Sequence, residues 1–229
     1  MKTYFTFIKY LQQILLFISV MVMIVFPLVL VFSPDSISDV MTLQIYSVAH
    51  IALFFVMMVR PLADIFTKIK WIRPLVILRK GAGVFSASII VSFIISKLMM
   101  DPSGYINSIG TIKYWSLANL ALLAHLADIS AVILIITSNN LSKRILGTWW
   151  KKIQRLSYVY FYASVLYVYL TYGDIKLLFM LLIVTLVTYL ASAKNNDKLL
   201  ESYKSTSTHT SNQMSIRDTL PIKNKIRSI

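Results

Sequence analysis

Cysteine is absent from the 229 residues, which excludes disulfides, thiolate metal sites, iron–sulfur clusters and a cysteine nucleophile. Also missing are the phosphate-cradling GxxxxGKS/T loop and the GxGxxG, GxSxG and HExxH patterns, so kinase and hydrolase chemistries have no footing. Gly81-Ala82-Gly83 is too short to serve as a nucleotide loop. Acidic residues are few, nine against 23 Lys and Arg. A composition suited to a water-soluble surface is lacking as well: 57% of residues are hydrophobic and the mean hydropathy is +0.71, so lipid is the solvent over most of the length.

What is present is a set of long apolar runs. A bilayer core of roughly 30 Å needs about 20 apolar residues per helix. Six segments meet that length, residues 10–32, 40–59, 81–99, 114–138, 156–173 and 177–193, and only Lys97 and Asp128 are charged within them. The first run is too long for a cleavable signal peptide, and Pro27 is followed by no small-residue cleavage site, so it is expected to stay as an anchor. The expected fold is an all-α membrane protein: a cytoplasmic N-terminus over 1–9, a six-transmembrane-helix bundle over 10–193, and a tail over 194–229.

Orientation follows from the basic residues. The N-terminus, the second loop, the fourth loop and the tail hold all of the 23 Lys and Arg except Lys97, Lys113 and Lys176. Asp35, Asp39, Asp101 and Asp174 lie on the opposite face. Both termini are therefore expected in the cytoplasm, with the chain in the cell membrane. In a soluble protein the net charge of +14 would suggest nucleic acid. Here insertion and lipid headgroups account for it, so the expected partner is the lipid bilayer and not a nucleic acid.

Residues 63–80 mix Phe66, Ile69, Trp71 and Ile72 with Lys68, Lys70 and Arg73, which suits either a chain lying in the interface or a basic hairpin with an aromatic anchor. The tail from Lys194 is polar and basic and is expected to be disordered, with His209 incidental.

The stretch Ile136 to Tyr158, ITSNNLSKRILGTWWKKIQRLSY, resembles the fourth-loop signature of ferric-reductase-like transmembrane domains. There a Thr-Ser leads to Arg-x-Leu-Gly, Trp-Trp and then Leu-His-Arg-Leu-x-Tyr. The branch it is most similar to is the bacterial haem-binding membrane subunit that serves the periplasmic methionine-sulfoxide reductase. Arg60-Pro61-Leu62 and Arg79-Lys80-Gly81-Ala82-Gly83 stand where that family has Thr-Pro-Leu-Arg and Arg-Arg-x-Leu-Gly, so the likeness covers residues 41 to 172 or so.

The resemblance implies transmembrane electron transfer through b-type haem held by histidines on the third and fifth helices. This chain departs from it there. The family's His-Arg-Leu reads Gln154-Arg155-Leu156, its second helix-five histidine falls on Tyr167, and its helix-three histidine falls on Ser92 or Phe93. Gln and Ser are not usual axial ligands, and Tyr binds iron as a phenolate. Helix five carries Tyr158, Tyr160, Tyr162, Tyr167, Tyr169 and Tyr172, which suit packing and hydrogen bonding across helices. Ser88, Ser92 and Ser96 form a small polar stripe that permits close helix approach.

Two other histidines are intramembrane. His50 and His125 each stand about ten residues from the outer surface, ~15 Å deep at 1.5 Å per residue, so a bis-histidine haem or a metal between them is allowed if the bundle joins those faces. Asp128 shares a helix face with His125. A carboxylate near the bilayer centre costs roughly 2.5–3.5 kcal/mol, so it is normally paired or functional. It could orient a metal-bound imidazole or form a proton relay. Equally, it could be protonated and hydrogen-bonded to Asn119, Ser130 or a neighbouring helix as structural glue. Three functions stay open: a redox subunit using a separate electron donor, since no nicotinamide or flavin domain follows the sixth run; a haem-free accessory or scaffold protein; and a small proton-coupled transporter centred on Asp128.

Overall fold

The computed structural model describes residues 2–33, 37–116 and 120–218, and among these the chain is helical, with no strand. Lys2–Phe32 forms α1, Asp39–Ile65 α2 and Ile72–Met100 α3. Two short elements follow, α4 (Pro102–Ile109) and a single 3₁₀ turn at Ile112–Trp115. Then come α5 (Ala121–Thr137), α6 (Asn140–Leu146), α7 (Thr148–Ile153), α8 (Leu156–Tyr172) and α9 (Ile175–Asp218).

Four helices, α1, α2, α3 and α9, are long and apolar enough to cross a membrane, and α5 with α6 makes a fifth if that bent pair is one span. α8 is apolar but only 17 residues long, roughly 25 Å at 1.5 Å per residue. The fourth expected span, 114–138, is not one helix. The chain turns at Leu120, whose φ of 55° is left-handed, and α5 starts only at Ala121. A non-glycine residue there cannot continue a right-handed helix. Residues 112–115 wind instead as the separate 3₁₀ turn, with the Trp115 indole donating to the Ile109 carbonyl at 2.8 Å.

Residues 63–80 do not lie flat as one interfacial segment. α2 runs on to Ile65, α3 begins at Ile72, and only a tight turn separates them. Trp71 in that turn is exposed, and its ring lies 5.1 Å from that of Tyr4 at the start of α1, as an aromatic anchor would. At the other end of the chain, α9 continues as backbone helix through the polar stretch to Asp218, past the expected end of its apolar run. The Lys194 ammonium donates to the Ile65 carbonyl at 2.5 Å, tying α9 to the C-terminus of α2.

The packing order is a ring. α2 packs on α3, α3 on α5, α5 on α8 and α8 back on α2, while α1 lies outside against α3 and α9 outside against α2 and α8. Polarity is turned inside out relative to a soluble bundle. Ser86, Ser88, Ser92 and Ser96 of α3 are buried, whereas Phe7, Phe17 and Ile24 of α1 and Phe179, Leu186 and Tyr189 of α9 are exposed. Apolar side chains facing outward all round a bundle suit lipid, and small residues inside let helices approach closely.

The interface of α1 and α3 shows how close. A Cβ added at Gly81 would meet the Cβ of Leu15 at 3.2 Å and the Gln12 carbonyl at 3.3 Å. Ser92 donates to the Val22 carbonyl of α1 at 3.2 Å as well as to Ser88 of its own helix at 2.7 Å. The Phe93 ring stacks on Tyr46 at 4.7 Å and meets Phe26 edge-on at 5.2 Å, which joins α1, α2 and α3.

Candidate functional site

At the centre of the ring, α3 and α8 face each other across a diagonal. The Ser86 and Tyr160 hydroxyls close it with a hydrogen bond of 3.0 Å, and both side chains are fully buried. Phe161 and Val165, 0% exposed, fill the space beside them together with Leu53, Met57 and Ala131 from the flanking helices. The serine-rich helix therefore has two polar faces: Ser92 is directed to α1 and Ser86 to α8. The stripe of Ser88, Ser92 and Ser96 does not include Ser86, so helical spacing alone gave no sign of the second face.

The positions where the resemblance implies haem ligands are engaged otherwise. Ser92 is spent on two backbone carbonyls and Phe93 on two ring contacts. Gln154 reaches the Thr137 hydroxyl at 3.4 Å, at the end of α5 and away from the bundle centre. Tyr167 packs against the apolar core. With Ser86 bonded to Tyr160 across the middle, the residues between α3 and α8 do not fit a porphyrin. The tyrosines of α8 work as cross-helix ties, Tyr160 to Ser86 and Tyr162 to Thr185 of α9 at 2.8 Å.

His50 and His125 stand on α2 and α5, the other diagonal of the ring, with α3 and α8 packed between them. Nor do they occupy equal places on their helices. His50 is three turns into α2, whereas the late start of α5 leaves His125 one turn from its end, where the Trp115 ring meets the imidazole edge-on at 5.5 Å. His50 is 3% exposed. Its Nδ1–H donates to the Tyr46 carbonyl at 2.7 Å, the backbone of Ser164 lies beside the ring, and Nε2 is buried without a well-formed hydrogen bond.

Asp128 lies within electrostatic reach of Lys97 on α3 and of Tyr46, Tyr160 and Tyr167. The two charges inside the apolar runs thus act on each other. Asn119, one of the partners expected for this carboxyl, lies outside the described residues. Among the described residues no three His, Cys, Asp or Glu side chains converge as a metal site.

The loop that carries the resemblance has a clear structural task. α5 and α6 are bent by 94°, so the last carbonyls of α5 have no partners in a continuing helix. Side chains of the loop take them up. Ser138 donates to Leu134 at 2.5 Å, Asn139 and Ser142 to Ile136 at 2.9 Å each, and the Trp150 indole to Thr137 at 2.9 Å. Gly147, at φ 49°, makes the turn between α6 and α7. Compared with protein-family models, with curated proteins and with solved structures, the chain matches none.

Proposed function

We propose that this chain is a six-span protein of the cell membrane, both ends cytoplasmic, of the ferric-reductase-like type, and that it works as a haem-free accessory or scaffold subunit for a separate membrane or reductase partner. The observation that carries the reading is the Ser86–Tyr160 hydrogen bond, which occupies the diagonal that the resemblance assigns to haem. The loop signature keeps its role as the cap of α5, which needs no iron. Loss of the ligands with retention of the loop is what a scaffold derived from such a domain would keep.

A second reading, electron transfer through b-type haem on His50 and His125, draws on the buried Nε2 of His50, which makes no well-formed hydrogen bond. It would require α2 and α5 to approach across the bundle centre. An optical spectrum of detergent-purified protein, expressed with ample haem, separates the two. The scaffold reading expects no haem band before or after dithionite reduction. A sharp reduced α-band that disappears in His50→Ala or His125→Ala would replace it with the electron carrier.

A further inference from the structure

A cleft of about 690 Å³ opens at the basic end of the bundle, between α2, α3, α5, α6, α7 and α8. Its rim carries six cations, Arg60, Arg79, Lys80, Lys143, Lys151 and Arg155, and among the described residues no acidic side chain lines it. Arg79 is half-buried, and the guanidinium of Arg60 shares the cleft with it. Asp64, one turn past Arg60, lines the adjoining hollow with Arg60, Arg73 and Arg79, but the cations outnumber it, and the forked guanidinium donors of Arg60 and Arg79 suit phosphate oxygens.

Polarity changes along the cleft. Leu53 and Val56 of α2 lie one to two turns above Arg60, up to ~10 Å deeper in the membrane. Val84 of α3 and Leu134 of α5 continue that apolar wall, and Tyr160 closes the top. A phospholipid of the inner leaflet has the same order, phosphate outward and acyl chain toward the bilayer centre. Free phosphate would use the rim and leave the apolar wall unfilled. Anionic lipids are abundant on the side to which the Lys and Arg distribution assigns this end.

We infer that this cleft is a binding site for one anionic phospholipid, its phosphate between Arg60 and Arg79 and an acyl chain along Leu53, Val56 and Val84. The inference uses the inner-leaflet orientation proposed above but not the scaffold role, and in micelles it can be tested independently of either.

The test is native mass spectrometry of the full chain in a neutral detergent, titrated with phosphatidylglycerol, phosphatidylcholine or inorganic phosphate. One phosphatidylglycerol per chain is expected, at least tenfold tighter than phosphatidylcholine. Arg60→Gln with Arg79→Gln should weaken it at least tenfold. Lys68→Gln with Lys70→Gln, which removes two charges from the same end outside the cleft, should change it less than twofold. Gly83→Leu, on the cleft wall beside Val56, is a second variant that leaves every charge in place, and it should weaken lipid binding without altering the response to phosphate. Equal affinity for both lipids, equal loss in the two double variants, or full displacement of lipid by millimolar phosphate would each overturn the proposal, the last by assigning the site to free phosphate.

Discussion

The hydroxyls of Ser86 and Tyr160 meet at 3.0 Å across the diagonal between α3 and α8, both out of reach of solvent and lipid. A buried hydroxyl without a partner costs on the order of 1–3 kcal/mol, and measured couplings between membrane helices average about 0.6 kcal/mol, reaching about 1.7. Tyr160→Phe and Ser86→Ala should each lower stability by about 1 kcal/mol in mixed-micelle unfolding. The double variant should lose less than their sum by at least ~0.5 kcal/mol. Strict additivity would remove this bond from the account of the core.

Gly81 and Gly83 stand two residues apart and should answer substitution with opposite sign. A Cβ at Gly81 meets α1 at 3.2 Å, whereas at Gly83 the nearest atom is a methyl of Val56 at 3.7 Å, ordinary contact. Gly81→Val is expected to cost about 1–3 kcal/mol by forcing α1 from α3. Gly83→Ala should be neutral or stabilise by up to ~1 kcal/mol through helix propensity. Equal effects in the same unfolding assay would contradict the close packing of α1.

Asp128 of α5 and Lys97 of α3 lie within electrostatic reach of each other. Removing Lys97 leaves the Asp128 carboxylate without that cation in a poor solvent, a cost of up to roughly 2.5–3.5 kcal/mol for a charge at the bilayer centre. Lys97→Met should therefore reduce the folded, inserted yield, and Asp128→Asn in that background should restore it. If the double variant is worse than Lys97→Met alone, the two charges are not compensating one another.

Because cysteine is absent, single introduced cysteines report topology without background. Thr111→Cys should react with a membrane-impermeant maleimide on intact cells. Lys68→Cys and Thr148→Cys should react only after permeabilisation. Labelling of Thr148→Cys from outside would refute the six-span arrangement with cytoplasmic ends.

Much of the candidate site was legible as residue types and little of it as geometry. The departure from the haem pattern at Gln154, Tyr167 and Ser92 is visible in the linear order, and so is the unusual burden of Asp128. That Gln154 turns to Thr137, and that Ser86 finds Tyr160, depends on helix rotations that spacing does not specify. His50 and His125 are set differently along their helices for a local reason. Residues 114–120 fall within a mostly apolar run despite Ser116 and Asn119, and hydropathy does not register that Leu120 takes a left-handed turn.

The sequence by itself determined the apolar solvent and the helical class, because these depend on run length and composition along the chain. It also held the cap of α5 in its Ser, Asn and Trp residues, since capping is a local match of side chain to free carbonyl. Only the tertiary structure decided that α1 leans on α3, that α2 and α5 stand on opposite corners, and that two hydroxyls seal the centre. In lipid there is little apolar driving force to choose partners, so close approach at small residues and the pairing of buried polar atoms make that choice, and both arise only once the helices meet.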